Sequence, residues 1–265
     1  MKTYQEINSK AWDSEVENEN FWTLPVGKEE IENAKNGVFN IYLTPSKYVK
    51  QDWVRPMKNK KILALACAGG QQSIVLAAAN NDVSVFDISE EQLNQDKKTA
   101  EKFNLNINIV KGDMQDLSYF SDNSFDYIYN PSSTCFINDV EKVYKECFRV
   151  LKEGGEFITS ATNPILYLFR EKDLLRNKLK VKYTIPYSDI KSLSKKEVEK
   201  IIESHDTLEF SHTMDNLIGG LTRAGFVILD FYSDYSNNDL LDSFIHDCYF
   251  ALRCKKNVSI QKKIL

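Results

Sequence analysis

The chain has 265 residues, 42% of them hydrophobic and 27% charged, enough for one large domain with added segments and too ordinary for a disordered or fibrous class. A net charge of −4 gives no overall attraction to phosphate backbones, and the one basic stretch, "REKDLLRNKLKVK" (170–182), is diluted by its own acids, so nucleic acid is not an expected partner. Five cysteines without a CxxC pair, and three histidines outside ligand spacing, argue against a disulfide framework or a metal site.

In chain order, residues 1–55 carry all three tryptophans (Trp12, Trp22, Trp53) among acids and asparagines, which predicts short helices and loops. No apolar signal core stands in that segment, and no apolar run reaches the length of a membrane span, so the expectation is a cytoplasmic protein, monomer or homodimer. From Lys61 apolar segments alternate with helical ones: strands are predicted at 61–66, 83–86, 107–110, 125–129 and 156–161. Such alternation means a parallel sheet with helices packed on it. Ser89, with Gln92 three residues on, has the form of a capping box opening a helix to about Phe103; Asn138 with Glu141 repeats it, and Gly154 and Gly155 stop the helix that follows. Residues 164–211 break the regularity and are expected to be an insertion, with a turn near Pro186 and a charged helix from about Ser194. A helix over 212–224 and strands at 226–232 and 249–254 complete seven strands. The expected divisions of this single domain are therefore 1–55, a helical lid; 56–163, the core; 164–211, an inserted lid; and 212–265, the completion of the core.

In such a sheet, ligands sit at the carboxyl ends of the strands, so the turn after the first strand matters most. "ACAGGQQS" (66–73) is a run of small residues that lets backbone approach a ligand and leaves a helix N-terminus facing it. Asp87 ends the second strand, where a carboxylate can accept hydrogen bonds from ribose hydroxyls. A dinucleotide fingerprint is not present: glycine is missing from positions 66, 68 and 71, where GxGxxG would require it.

The stretches "ILALACAGGQQS", "VSVFDIS", "IVKGDMQDLSYFSDNSFDYIYNPSS" and "VYKECFRVLKEGGEFITSA" resemble the class I S-adenosylmethionine-dependent methyltransferases, in particular the small-molecule group related to the quinone-pathway enzymes. The likeness runs from about Lys61 to Asn163, and "GGLTRAGFVILDFY" with the last strand resembles the closing hairpin of that fold. It implies a doubly wound, mostly parallel seven-stranded α/β sheet of order 3-2-1-4-5-7-6 with its last strand antiparallel. It also implies S-adenosyl-L-methionine as cofactor, with Ala66, Cys67, Ala68, Gly69, Gly70 and Gln71 around the methionine part. Asp87 would take the ribose, with Ser89 beside it. Asp113, with Gly112 before it in the cofactor site, would accept a hydrogen bond from the adenine amino group, Ile88 and Met114 would flank the ring, and Asn130 and Pro131 would lie near the methyl.

Two departures stand out: Ala64 replaces the usual acidic residue, and Ala66 and Ala68 replace glycines. The alanines fit if the loop keeps negative φ there, and Gln71 or an N-terminal side chain would have to replace the missing acid. Methyl transfer is an in-line displacement that rests on positioning, so no triad or metal cluster is needed. His212, at the mouth of the last helix, is the candidate general base, and Trp12, Phe21 and Trp22 are candidates to cover a small-molecule acceptor. Two alternatives remain: a nucleobase or protein side-chain methyltransferase, for which "NPSS" (130–133) is half of the usual signature, and a cofactor-binding module without transfer activity.

Overall fold

The computed structural model describes residues 2–257; residues 258–265 of the expected C-terminal division lie outside the described part. Seven strands form one sheet: β1 (Lys61–Leu65), β2 (Asp82–Asp87), β3 (Ile107–Lys111), β4 (Phe125–Asn130), β5 (Leu151–Thr162), β6 (Phe226–Asp234) and β7 (Tyr249–Lys256). Their order is β3-β2-β1-β4-β5-β7-β6, and β7 runs antiparallel to both β5 and β6 while the other neighbours are parallel. The order reverses beside β1, the switch point at which such sheets open a crevice.

The central strands read as continuous apolar runs because both faces are covered. Period two divides them cleanly: Ile62 and Ala64 join the core on one face, with Val83, Val85 and Trp53, whereas Leu63 and Leu65 join the other, with Phe86, Ile128 and Phe157. Eleven α-helices accompany the sheet among the described residues: α1 (Tyr4–Glu17), α2 (Lys28–Lys35), α3 (Gln51–Val54), α4 (Gln72–Ala78), α5 (Glu90–Lys102), α6 (Val140–Val150), α7 (Glu171–Leu174), α8 (Asp189–Ser192), α9 (Lys195–Glu203), α10 (Gly220–Ala224) and α11 (Asp239–Asp242). Side chains of α2, α4 and α5 enter the first core, and those of α6 and α10 the second.

Three local expectations are corrected. Helix α6 is capped by Asp139, whose carboxylate accepts from the Lys142 N–H at 3.1 Å; Asn138 is instead held by the Tyr4 hydroxyl at 3.0 Å. That helix ends at Val150, and Gly154 and Gly155 lie inside β5, where a methyl on Gly155 would stand 2.9 Å from the Lys152 carbonyl and 3.0 Å from that of Asp126. The predicted helix over 212–224 divides into a π-turn, Asp215–Gly219, and α10, and at their junction a methyl on Gly220 would stand 2.9 Å from Glu141 and 3.3 Å from Tyr144 of α6.

The segment 164–211 holds a 3₁₀ turn (Pro164–Leu168) and α7 to α9. It returns to the sheet edge where the Phe210 N–H meets the Cys135 carbonyl at 2.7 Å, just beyond β4.

Candidate active site

A cleft of about 1240 Å³ runs along the carboxyl edge of the sheet, walled by the loops after β1, β2, β3 and β4, by the N-terminal segment and by residues of 164–211. The loop after β1 is pinned from behind by α5. The Gly69 N–H donates to Gln92 Oε1, and the Gly70 N–H donates to Asp96 Oδ1 at 2.9 Å; the Ser73 hydroxyl donates to the same oxygen. A methyl on Gly69 would sit 2.1 Å from the Gln92 carbonyl oxygen, and Gly70 has φ +74°, so the two glycines serve packing and turning. They face away from the cleft, and Ala66, Cys67, Ala68 and Gln71 form its wall there.

Ala66 (φ 49°) and Ala68 (φ 57°) adopt the left-handed conformation, contrary to the negative φ expected of alanine. Strain is accepted at both because the surrounding hydrogen bonds fix the turn, among them Ala66 N–H to the Phe86 carbonyl at 2.9 Å. Gln71 does not turn its amide to a ligand; it donates to the carbonyls of Trp22 (2.9 Å) and Leu24 (2.8 Å), tying the N-terminal segment to the loop.

Asp87 lies at the end of β2 in the cleft wall, beside Ile88. Its Oδ1 accepts from the Ser89 N–H at 2.9 Å, and among the described residues no lysine, arginine or histidine pairs with it. Burial pushes its carboxyl up to about 6, against the pull of the Ser89 and Ile88 N–H groups. Ser89 is the cap of α5, and Gln92 completes only half a capping box because its side chain is committed to Gly69. After β3, Gly112 and Met114 line the cleft, but Asp113 is engaged by Gln115 and, at 3.3 Å, by Gln5. After β4, Pro131 lines the cleft; Asn130 is fully buried, its amide donating to the Leu65 carbonyl and to Ser133 and accepting from Thr159.

The N-terminal helix spans these loops. Ser9 donates to the Ile88 carbonyl, Asp13 accepts from the Ser89 hydroxyl and the Glu91 N–H, and Asn8 exchanges hydrogen bonds with Leu208 while donating to the Phe136 carbonyl. Trp12 stands edge-on to Phe136 at 5.1 Å, and Phe21 and Trp22 pack together at 5.3 Å at the mouth of the cleft.

His212 is not brought to the cleft. It is buried, its Nε2 is 2.9 Å from the Thr134 carbonyl, and burial lowers its pKa, which fits a group that holds the turn after β4. Three residues earlier, Glu209 does face the cleft. Its Oε2 accepts from the Tyr167 hydroxyl at 2.6 Å, and burial pushes the carboxyl up to about 7. Asp189, beside it, accepts from the Tyr187 hydroxyl at 2.6 Å and from the Glu209 N–H at 2.7 Å. Nothing in the local sequence marks Glu209, Tyr167 or Tyr187 for such a role; only the return of the insertion onto the sheet edge assembles them.

Comparison with known proteins decides what this arrangement belongs to. Residues 63–159 match the family described as a methyltransferase domain. The chain is 47% identical over 249 residues to the uncharacterized methyltransferase YbaJ of Bacillus subtilis, covering 94% of this chain and 97% of that one. The chain belongs to the class I S-adenosylmethionine-dependent methyltransferases. The methyltransferase core is also 37% identical over 111 residues to the ubiquinone/menaquinone biosynthesis C-methyltransferase UbiE of Rickettsia prowazekii, of which it spans 44%. Its fold is that of an S-adenosylmethionine-dependent methyltransferase from Mesorhizobium loti, with TM-score 0.58, 16% identity and coverage of 78% of this chain and 97% of that one.

S-adenosylmethionine is the cofactor of this methyltransferase. The residues present fit it chemically: the cleft holds a buried carboxylate, Asp87, without a cationic partner, and a wall formed by Ala66, Cys67 and Ala68. Among the described residues no cluster of histidine, cysteine and carboxylate could hold a metal ion, and no helix is long and apolar enough to cross a membrane.

Proposed function

We propose that this methyltransferase acts on a small, partly apolar acceptor held between the N-terminal segment and the 164–211 insertion. The observation that carries this reading is one continuous cleft in which Ala66, Asp87 and Met114 of the core share walls with Trp12 of the N-terminal helix and Tyr167 of the insertion.

When bound, S-adenosylmethionine supplies a methyl already activated on a sulfonium. Asp87 accepts hydrogen bonds from the ribose hydroxyls, the Ala66–Ala68 wall leaves room for the amino-acid end, and Ile88 and Met114 flank the base. Asp13 and Ser9, tied to the Ser89 and Ile88 region, hold the N-terminal helix over this end and exclude water. Pro131 and Cys135 border the cleft just beyond β4, and the aromatic walls hold the nucleophile in line. Carrying an exocyclic amine of a nucleobase or protein amide would require the Asn130 side chain, and that side chain is spent on Leu65, Ser133 and Thr159.

Calorimetric titration with S-adenosylmethionine and with its demethylated product tests the cofactor site, and the product is expected to bind as well as or better than the donor. Heat with a nicotinamide dinucleotide and none with either sulfur compound would overturn the reading.

A further inference from the structure

The insertion places an unusual surface at the acceptor end of the cleft. Tyr167 follows β5 directly, in the turn Pro164–Leu168, and Glu209 is one residue before Phe210, which is stitched to Cys135 beyond β4. The pair therefore overhangs the carboxyl ends of β4 and β5, whereas the cofactor-side residues follow β1 and β2. Tyr167 stacks on Tyr187 with centroids 5.4 Å apart, and Tyr183 leans on Tyr187 at 5.0 Å, making a continuous aromatic wall on the cleft.

Two hydroxyl hydrogens of this wall are already assigned. The Tyr167 hydroxyl donates to Glu209 and the Tyr187 hydroxyl to Asp189, so what these groups offer an occupant is acceptor capacity: phenol lone pairs and the second oxygen of Glu209, to which no described residue donates. The charged groups that weigh most on Glu209 are Asp189, Asp206 and Glu171, all acidic, so the field beside it favours a cation, although Lys172 and Lys200 line the same cleft. Glu209 and Asp189 have no ion-pair partner among the described residues; Arg170, the arginine on this wall, is taken bidentately by Asp173. An uncharged acceptor would leave the Glu209 carboxylate without a counter-ion. A protonated nitrogen would meet a carboxylate, phenol oxygens and π-faces together.

We propose that the methyl acceptor is a basic amine, bound as its ammonium ion against Tyr167, Tyr183 and Tyr187, with Glu209 as its counter-ion and proton acceptor. This rests on the reading of the cleft as a methyl-transfer site. The ammonium passes one proton to the Glu209 carboxylate, the freed nitrogen lone pair forms the C–N bond, and the methyl–sulfur bond breaks with its electron pair left on sulfur. The positive charge lost from sulfur then resides on the methylated nitrogen. Burial that holds the Glu209 carboxyl near 7 suits it to take a proton from a bound ammonium and release it to solvent at neutral pH.

The test uses the full chain saturated with S-adenosylhomocysteine and titrated calorimetrically with three near-isosteric probes: benzylamine, benzyl alcohol and benzoate. Benzylamine is expected to bind at least about tenfold more tightly than either of the others. Glu209→Gln, which keeps the shape and the Tyr167 hydrogen bond, is expected to weaken benzylamine about tenfold while leaving S-adenosylhomocysteine affinity unchanged. Tyr183→Ala, at a half-exposed ring, is expected to weaken benzylamine by about threefold and leave the alcohol as it was. Equal or tighter binding of the alcohol or of benzoate, no binding of benzylamine, or an unchanged benzylamine affinity in Glu209→Gln overturns the amine assignment. Failure of the wild-type chain to bind S-adenosylhomocysteine at the outset overturns the cofactor reading instead, and the two failures are read in separate titrations.

Discussion

Asp96 offers a sharp test of how the loop after β1 is held. Both of its hydrogen bonds, from the Gly70 N–H and the Ser73 hydroxyl, end on the same oxygen, Oδ1. Asparagine can therefore keep both with its amide oxygen while removing the ionisable group. Burial raises the Asp96 carboxyl from the ordinary 3.8 to about 7, with neighbouring Asp87 pushing the same way and the two donors pulling against it. For an acid whose folded pKa lies above its unfolded one, the folded state binds more protons between the two values, so stability falls as pH rises from about 4 to about 7. With those two values, the loss between pH 5 and pH 8 is about 2–3 kcal/mol from this residue alone. Urea unfolding of the wild type and of Asp96→Asn at the two pH values isolates it: the variant is expected to gain about 2–3 kcal/mol relative to wild type on going from pH 5 to pH 8. Calorimetry with S-adenosylhomocysteine checks that the loop has kept its shape, and affinity within about threefold of wild type is expected. If the stability difference between the two proteins stays constant with pH, Asp96 is not the buried acid that the geometry describes.

Further expectations concern the same cleft. Asp87→Ala is expected to weaken S-adenosylhomocysteine binding by about 1–3 kcal/mol, since an acceptor for the ribose hydroxyls is lost; calorimetry reads it, and an unchanged affinity would remove Asp87 from the site. At position 68 the left-handed backbone favours glycine and opposes branched side chains, so Ala68→Gly is expected to change stability by no more than ~1 kcal/mol and Ala68→Val to cost roughly 1–3 kcal/mol, read from urea midpoints. Removing residues 1–25 takes away Asn8 and Trp12, which line the cleft, and Asp13, which ties their helix to the Ser89 region; turnover is expected to vanish while far-ultraviolet circular dichroism stays that of the core, and full activity in the truncated chain would refute the covering role.

What could be read in the sequence follows from how local its causes are. The strands at β1, β2 and β4 are apolar on both faces and short, so their position depends on composition over five or six residues and was visible. The small-residue loop and the strand-end Asp87 were visible for the same reason. The sign of φ at Ala66 and Ala68 was not, because alanine prefers the opposite sign and the turn is imposed by Gln92 and Asp96, more than twenty positions away. Asn138 and Asp139 are both competent caps, and the choice between them depends on Tyr4, which claims Asn138 from the other end of the chain.

The same logic explains why His212 stands out in the sequence and yet lies outside the cleft. A histidine at a helix mouth is conspicuous in sequence, whereas a glutamate in an irregular insertion is one carboxylate among 38 acidic residues. The fold turns His212 onto a backbone carbonyl and brings Glu209, partly buried, against a tyrosine in the cleft. A carboxyl gains basicity at neutral pH from its surroundings, and here those surroundings come from three separated segments, 134–136, 164–168 and 187–189. The core and the edge of this site therefore answer to different constraints. The small-residue loop after β1 and Asp87 at the end of β2 lie in the segment whose pattern is legible, while Tyr167 and Glu209 sit in an insertion whose geometry is set only when its ends close on the sheet.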